Sequence, residues 1–345
     1  MSAEPLFVSV VVPCRNEIRY IAACLDSILG TEYPADRLEV LVVDGRSDDG
    51  TREIVAEYAS RHPTVRLIDN PKGITPVALN LGIRAARGAV VVRMDVHVLY
   101  PPEYIPRLVE ALQTSGADNV GAVLVTRAAN DKPMPRAIAV ALSHPFGVGN
   151  SYFRIGVTAP RWVDTIAFFC CRRSLFDRVG MFDEELVRHQ DGEFNARLIG
   201  QGGRILLLPH VRSYYYARGS LRQVGRMYFQ YGYFKPLVAR KLGRIMTLRQ
   251  MVPPLFVATL ITAALAGIWL PAAAVLAAGI AGSYATVIAA CSIGAARRHG
   301  VKCALALAVV FPVLHVSYGV GFLRRLVELV ALPRSQRVAE LPLSR

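Results

Sequence analysis

Residues 38–51 read LEVLVVDGRSDDGT. A short apolar run rich in valine stops at Asp44 and passes into a Gly/Ser/Asp turn, the pattern of a buried strand and its exit. The next stretch, TREIVAEYASRH (51–62), has helical spacing, with Thr51 as its expected N-cap. The same unit recurs on both sides. LFVSVVVP (6–13) leads into CRNEIRYIAACLDSIL (14–29), VRLIDN (65–70) into TPVALNLGIRAAR (75–87), and GAVVVRMDVH (88–97) is a fourth strand. Strands alternating with helices in this rhythm predict a parallel, doubly wound α/β sheet. Ligands of such sheets bind beyond the carboxyl ends of the strands, where Pro13, Asp44, Asp95 and His97 all fall.

In an extended strand Asp95 and His97 share a face, next to Arg93. A strand-end Asp can hold a divalent cation whose other ligands are the two phosphates of a nucleotide, and His97 is a second candidate ligand.

The chain has 345 residues, enough for more than one domain, and a formal net charge of +14, which suits an anionic partner such as a membrane surface or a phosphorylated substrate. Neither zinc-finger spacing nor an RNA-binding motif is present, so no nucleic-acid partner is expected. The six cysteines form no C-x-x-C pattern and fit a reduced compartment. The first residues lack the basic region and cleavage site of a signal peptide.

Beyond residue 100, helix and strand patterns continue through EYIPRLVEALQTSG (103–116) and ADNVGAVLVTR (117–127). SHPFGVGNSYFRIG (143–156) reads as a mobile loop able to cover substrate. Residues 220–250 are basic and aromatic with no acidic residue, as in helices lying on a membrane interface. Spans of about 20 residues are expected at 252–270, 271–291 and 303–322, the first two as a hairpin turning at Pro271. Basic residues before the pair (Arg240, Lys241, Arg244, Arg249) and after it (Arg297, Arg298, Lys302) put both hairpin ends inside. The third segment meets the length criterion for a full crossing. Pro312, Gly319 and Gly321 also permit a re-entrant helix with His315 and Tyr318 facing an acceptor diphosphate. The expected division is a catalytic domain over 1–219 (nucleotide half 1–100, acceptor half 101–219), interface helices over 220–250, a membrane region over 251–323, and a polar tail over 324–345.

VSVVVPCRNE (8–17), VLVVDGRSDDGT (40–51), NPKGITPVALNLGIRAARG (70–88), VVVRMDVH (90–97) and RRSLFDRVGMFDEELVRHQDGEFNARLIGQGGRI (172–205) resemble, in order and spacing, the inverting family 2 glycosyltransferases. The resemblance covers roughly residues 6–210 and is strongest to the membrane-attached glucosyltransferases of succinoglycan-type exopolysaccharide assembly, with D-x-H standing where the family usually has D-x-D. It implies a GT-A fold, a Rossmann-like and mostly parallel sheet, followed here by interfacial and transmembrane helices. It also implies that Pro13, Glu17 and Asp44 line the nucleobase and ribose pocket, that Lys72 and Arg93 lie at the nucleotide-sugar, and that Asp95, with His97, holds Mg2+ or Mn2+ on the diphosphate. Asp191 would be the general base of a single displacement, with Glu193 as the fallback. Arg222 and Arg226 stand where many processive relatives carry Q-x-x-R-W, and are candidates for steadying a lipid or diphosphate.

The implied donor is a nucleotide-diphospho-sugar, read here as UDP-glucose, and the implied acceptor is a polyprenyl-diphosphate-linked glycan. The enzyme would then be a multi-pass protein of the bacterial inner membrane with its catalytic domain in the cytoplasm. Two other readings stand beside this one: a polyprenyl-phosphate glycosyltransferase that charges the lipid phosphate directly, and an inactive glycan-binding scaffold on the same fold.

Overall fold

The computed structural model describes residues 4–245 and 247–331. The chain begins with β1 (Val8–Cys14), α1 (Ile21–Leu29), β2 (Leu38–Asp44), α2 (Thr51–Arg61), β3 (Val65–Asp69), α3 (Thr75–Ala85) and β4 (Val90–Arg93). Then follow β5 (Val98–Leu99), α4 (Tyr104–Thr114), β6 (Asn119–Arg127), α5 (Pro133–Leu142), α6 (Pro145–Val148) and α7 (Tyr152–Ile155). Next come β7 (Arg161–Val163), β8 (Cys170–Arg172), α8 (Leu175–Val179), α9 (Gln190–Gly200) and β9 (Ile205–Tyr216). Four long helices complete the described chain: α10 (Leu221–Leu242), α11 (Val252–Ala266), α12 (Pro271–His299) and α13 (Val301–Ala331). Contacts group residues 126–150 with the C-terminal helices in one compact unit and the rest of the first 216 residues in another. The first boundary therefore does not follow the division at 219 expected from sequence.

The first unit is built on a nine-stranded sheet ordered β3-β2-β1-β4-β8-β6-β9-β5, with β7 on β9. β1 pairs in parallel with β2 and β4, and β2 with β3. Beyond β4 the described pairings are antiparallel, so the sheet is mixed. Both faces are covered, which explains why β1, β2 and β4 carry unbroken runs of buried valine and leucine rather than an alternation with polar residues. Val10 and Val12 of β1 enter one core cluster, while Val11 enters the other with Leu41 and Val43 of β2. α3 lies so close that a Cβ on Gly82 would come within 2.4 Å of Val11 Cγ1, so the position takes only glycine.

Charged groups are buried in this unit as well, and one carboxylate of β2 shows how. Glu39 is fully buried, yet its oxygens accept from Ser9 Oγ at 2.6 Å, the Arg87 amide at 2.7 Å and Arg87 Nε at 3.0 Å. Burial works to raise its pKa, but these donors overcome that and hold it below the usual carboxylate range. The cap of α2 differs from expectation: Thr51 is the first helical residue, and Asp49 accepts from its amide and hydroxyl.

The second unit is helical. α10 and α13 touch backbone to backbone through glycines. A Cβ on Gly232 would sit 1.9 Å from the Tyr318 carbonyl, and one on Gly321 would sit 2.1 Å from that of Phe229. Small residues allow this approach where packing, rather than water exclusion, drives helix association. Among the described residues three helices are long and apolar enough to cross a membrane: Leu248–Ala266, Pro271–His299 and Val301–Ala331. Two expectations change here. α12 runs on past 291 through Arg297 and Arg298, so only Gly300 separates it from α13 where the expected spans left 292–302 between them. α13 continues unbroken past Pro312, Gly319 and Gly321, and carries Arg324, Arg325 and Glu328, which sequence had placed in a polar tail. The remainder of that tail, 332–345, lies outside the described residues.

The stretch 143–156, expected as a mobile loop, forms two short helices. α6 is docked within the second unit: the Phe146 ring meets Phe311 and His315, each at 5.0 Å. The Phe146 carbonyl can only accept, so His315 Nε2 donates to it at 2.8 Å and Nδ1 accepts from the Tyr284 hydroxyl at 2.8 Å. His315 is thereby an interhelical hydrogen-bonding residue, not one turned toward a diphosphate. The Tyr318 hydroxyl is buried and makes no hydrogen bond.

Candidate active site

β4 ends at Arg93, not at His97. The backbone then turns away over 94–97, and the next strand, β5, pairs with β9, which places Val98 opposite Tyr215. Tyr100 holds this turn: the Asp95 amide donates to its hydroxyl at 2.6 Å, and the hydroxyl donates to the Asp95 carbonyl at 3.2 Å. Burial still alternates through 94–98, so Asp95 and His97 stay on the accessible side between buried Met94, Val96 and Val98. The shared face anticipated from a strand thus survives without the strand.

Arg93 organises the site. Its side chain is almost wholly buried and lies against the Phe168 ring. Nε and Nη2 donate to the two oxygens of Asp95 at 2.7 and 3.0 Å, and Nη1 donates to Asp191 Oδ1. Expected as one more nucleotide contact, Arg93 instead bridges the candidate metal ligand and the candidate base. Burial alone would favour loss of its charge; Asp191 and Asp95 reverse that and hold its pKa above the ordinary arginine value.

Asp191 is the second residue of α9, whose N-cap, His189, has φ 64° and provides no side-chain cap. A carboxylate in this first turn interacts favourably with the helix dipole. Burial is the largest influence on its pKa and raises it, Arg93 lowers it, and Asp95 raises it again, leaving it at about 6. At neutral pH it is an ionised group with unusual affinity for a proton, as general-base work requires.

Three sequence-expected residues are engaged elsewhere. Glu193, the fallback base, is buried, and both its oxygens accept from Arg197, at 2.6 and 2.9 Å. Arg197 also donates to the Met181 and Val179 carbonyls, so the pair locks α9 to the segment before it. Asp44 is fully buried. It accepts from the Ser47 hydroxyl at 2.5 Å and amide at 3.1 Å, and pairs with Arg52 at 3.3 Å. In place of an open base-reading carboxylate, it shapes the turn after β2. Lys72 is exposed and pairs with Glu184 at 2.8 Å; its donation, followed by that of Asn80, holds Glu184 below its usual pKa.

The remaining candidates are placed as follows. Pro13 is the penultimate residue of β1, in register with Val43. Glu17 lies across from His97, with Oε1 3.8 Å from Nδ1, and the His97 ring meets the edge of Tyr215 at 5.4 Å. Arg222 and Arg226 are exposed on the first turns of α10, in the other compact unit. Sequence reasoning missed Tyr100 and Arg197. The spacing of Arg93 and Asp95 was a readable sign of their pairing, whereas nothing local announces Tyr100 as a backbone clasp.

No group of three or more His, Cys, Asp or Glu able to hold a metal ion occurs among the described residues. A cation at Asp95 and His97 would have to take its remaining ligands from bound phosphate or water.

The model of Glycosyl transferase family 2 matches residues 9–180. Over 330 residues the chain is 32% identical to Succinoglycan biosynthesis protein ExoA of Rhizobium meliloti (strain 1021), covering 92% of this chain and 94% of that relative. It is 34% identical over 189 residues to an undecaprenyl-phosphate 4-deoxy-4-formamido-L-arabinose transferase of Pseudomonas savastanoi pv. phaseolicola, covering 53% of this chain and 55% of that one. Among solved structures, mannosyltransferase PcManGT from Pyrobaculum calidifontis, in complex with GDP-Man and Mn2+, matches with a TM-score of 0.59 at 24% identity. That match covers 93% of this chain and 88% of the other, and it identifies the GT-A fold.

Proposed function

Since the chain belongs to glycosyl transferase family 2, as an enzyme of polysaccharide or lipid-linked glycan synthesis, we propose that it is a metal-dependent inverting hexosyltransferase acting on a polyprenyl-diphosphate-linked glycan. The proposed donor is UDP-glucose. The observation that carries the reading is the single buried arginine joining Asp95 to Asp191. A leaving-group carboxylate and a base must keep a fixed separation if one displacement is to pass between them, and Arg93 supplies that constraint.

Asp191 takes the proton of the attacking hydroxyl. The new bond to the anomeric carbon forms as the bond to the diphosphate oxygen breaks, and the electron pair leaves with the diphosphate. A divalent cation, Mg2+ or Mn2+, held by Asp95 with His97 beside it, would neutralise that charge. Glu17 and Pro13 are proposed to border the nucleoside, and Arg222 and Arg226 to meet the acceptor lipid. The three apolar helices support a multi-pass anchor, which we assign to the bacterial cytoplasmic membrane with the catalytic unit on the cytoplasmic side.

A second reading, direct charging of a polyprenyl phosphate, draws support from the relative named as an undecaprenyl-phosphate transferase. The two are separated by incubating detergent-solubilised protein with UDP-glucose and either undecaprenyl phosphate or an undecaprenyl-diphosphate saccharide, and measuring UDP release and labelled lipid. Turnover only with the saccharide-bearing lipid supports the main reading. Turnover with the bare phosphate replaces it with the second, and no acceptor-dependent release with either lipid counts against both.

A further inference from the structure

Arg154 stands on α7, in the stretch that local sequence suggested was mobile. Its guanidinium carbon lies 5.4 Å from the Phe153 ring and 5.8 Å from the Tyr215 ring. Tyr215 in turn faces His97 and is in register with Val98, so Arg154 belongs to the surroundings of the Asp95–His97 turn. Two cations of these surroundings are committed: Arg93 to Asp95 and Asp191, and Arg161 to the Tyr152 hydroxyl and ring. Arg154 differs, because its Nη1 is buried and makes no hydrogen bond.

A charged donor shut away from water without an acceptor is unfavourable, and such a group points to a ligand that would satisfy it. Two aromatic rings flank the guanidinium, which lowers the entropy that ordering it on a ligand would otherwise cost. The planar fork matches phosphate oxygens, and the neighbouring turn carries the residues assigned to the diphosphate.

We propose that Arg154 forms a phosphate subsite for the terminal phosphate of the nucleoside diphosphate, and so stabilises the leaving group as the sugar departs. This rests on the donor reading above. The electron pair of the breaking bond settles on the oxygen of that terminal phosphate, so a fixed cation there acts where charge develops. Unlike a lysine or histidine, arginine keeps its charge throughout.

The test uses the full chain in detergent, with UDP and UMP as probes. Arg154→Ala should weaken UDP binding roughly 10- to 30-fold while leaving UMP within about twofold, because only UDP carries the terminal phosphate. Arg154→Lys should recover part of the loss. Ligand-free Arg154→Ala should unfold at the same temperature as wild type or above it, since an unsatisfied buried donor is removed. Equal loss for UDP and UMP, or an unchanged UDP affinity in a variant that folds normally, overturns the subsite. A lowered unfolding temperature with an unchanged UDP-to-UMP ratio makes Arg154 structural and overturns it as well. Wild-type protein that binds neither UDP nor any other nucleoside diphosphate overturns the donor reading, and the inference with it.

Discussion

The two compact units solve the problem of burial in different proportions, although the second also buries a charge, Arg325 paired with Tyr233 and Glu328. In the first, charge is taken inside and partnered at Glu39 by Ser9 and Arg87, at Asp44 by Ser47 and Arg52, and at Arg93 by two aspartates, with Arg154 Nη1 an exception. In the second, backbones meet across glycine, and apolar side chains face outward, with Trp269 77% exposed and Val275 72%. Only 6% of the apolar window of α12 is buried within the protein, against 44% for α13, so α12 presents its surface to the surroundings while α13 is the spine the others pack on. The first unit is folded by exclusion of water and sequesters charge to position it. The second has an exterior suited to hydrocarbon, so its internal cohesion must come from close packing.

The largest expected effect lies in the first unit. Asp191→Asn should lower kcat about 10²- to 10⁴-fold with donor binding nearly unchanged, because the amide keeps the shape and loses the base. Single-turnover transfer alongside UDP binding checks this, and wild-type kcat in the variant would return the role to Glu193. Asp95→Ala should be comparably severe, and full turnover of the wild type in excess EDTA would remove the metal from the account. Neither change should alter the detergent dependence of unfolding if the units are as distinct in character as described.

A break in the second unit should be smaller, yet structural. Gly232→Val drives a side chain into the Tyr318 carbonyl and should destabilise by about 1–3 kcal/mol or more, read as thermal unfolding in micelles. Unchanged unfolding would mean that α10 and α13 do not meet as described.

The pH profile should show a milder dependence. With burial raising the Asp191 pKa to about 6, kcat/KM should fall below that pH as the base is protonated, and should level off above it. Arg93 lowers this pKa, so Arg93→Gln should move the acid limb upward, in addition to any loss from a loosened Asp95. A limb that stays put would mean that another group controls the rate.

The smallest effect is expected at Lys72. Its exposed pair with Glu184 contributes about 0–1 kcal/mol, so Lys72→Ala should barely move the unfolding midpoint. A large rise in donor KM would show that the lysine leaves Glu184 for the nucleotide, as the family resemblance implies.

Much of this protein is readable along the chain. The valine runs of β1, β2 and β4, the helices between them, the three apolar segments and the first-turn acids of α9 are all local patterns: hydrophobic period, length and turn chemistry. Asp95 stood out for the same reason, as an acidic residue at a strand end, whereas Asp191 was marked by the family resemblance. Tertiary structure decided which of the marked residues are available. Asp44, marked for the nucleoside pocket, and Glu193, marked as the fallback base, are occupied by Arg52 and Arg197, while Asp191 meets an arginine nearly a hundred residues away. It also decided that β5 leaves β4 for β9, that 143–156 is helical, and that Arg154 holds a buried nitrogen with no partner. Periodicity records which face of an element is buried. The partner of a buried charge depends on where distant segments cross, and no local spacing encodes that.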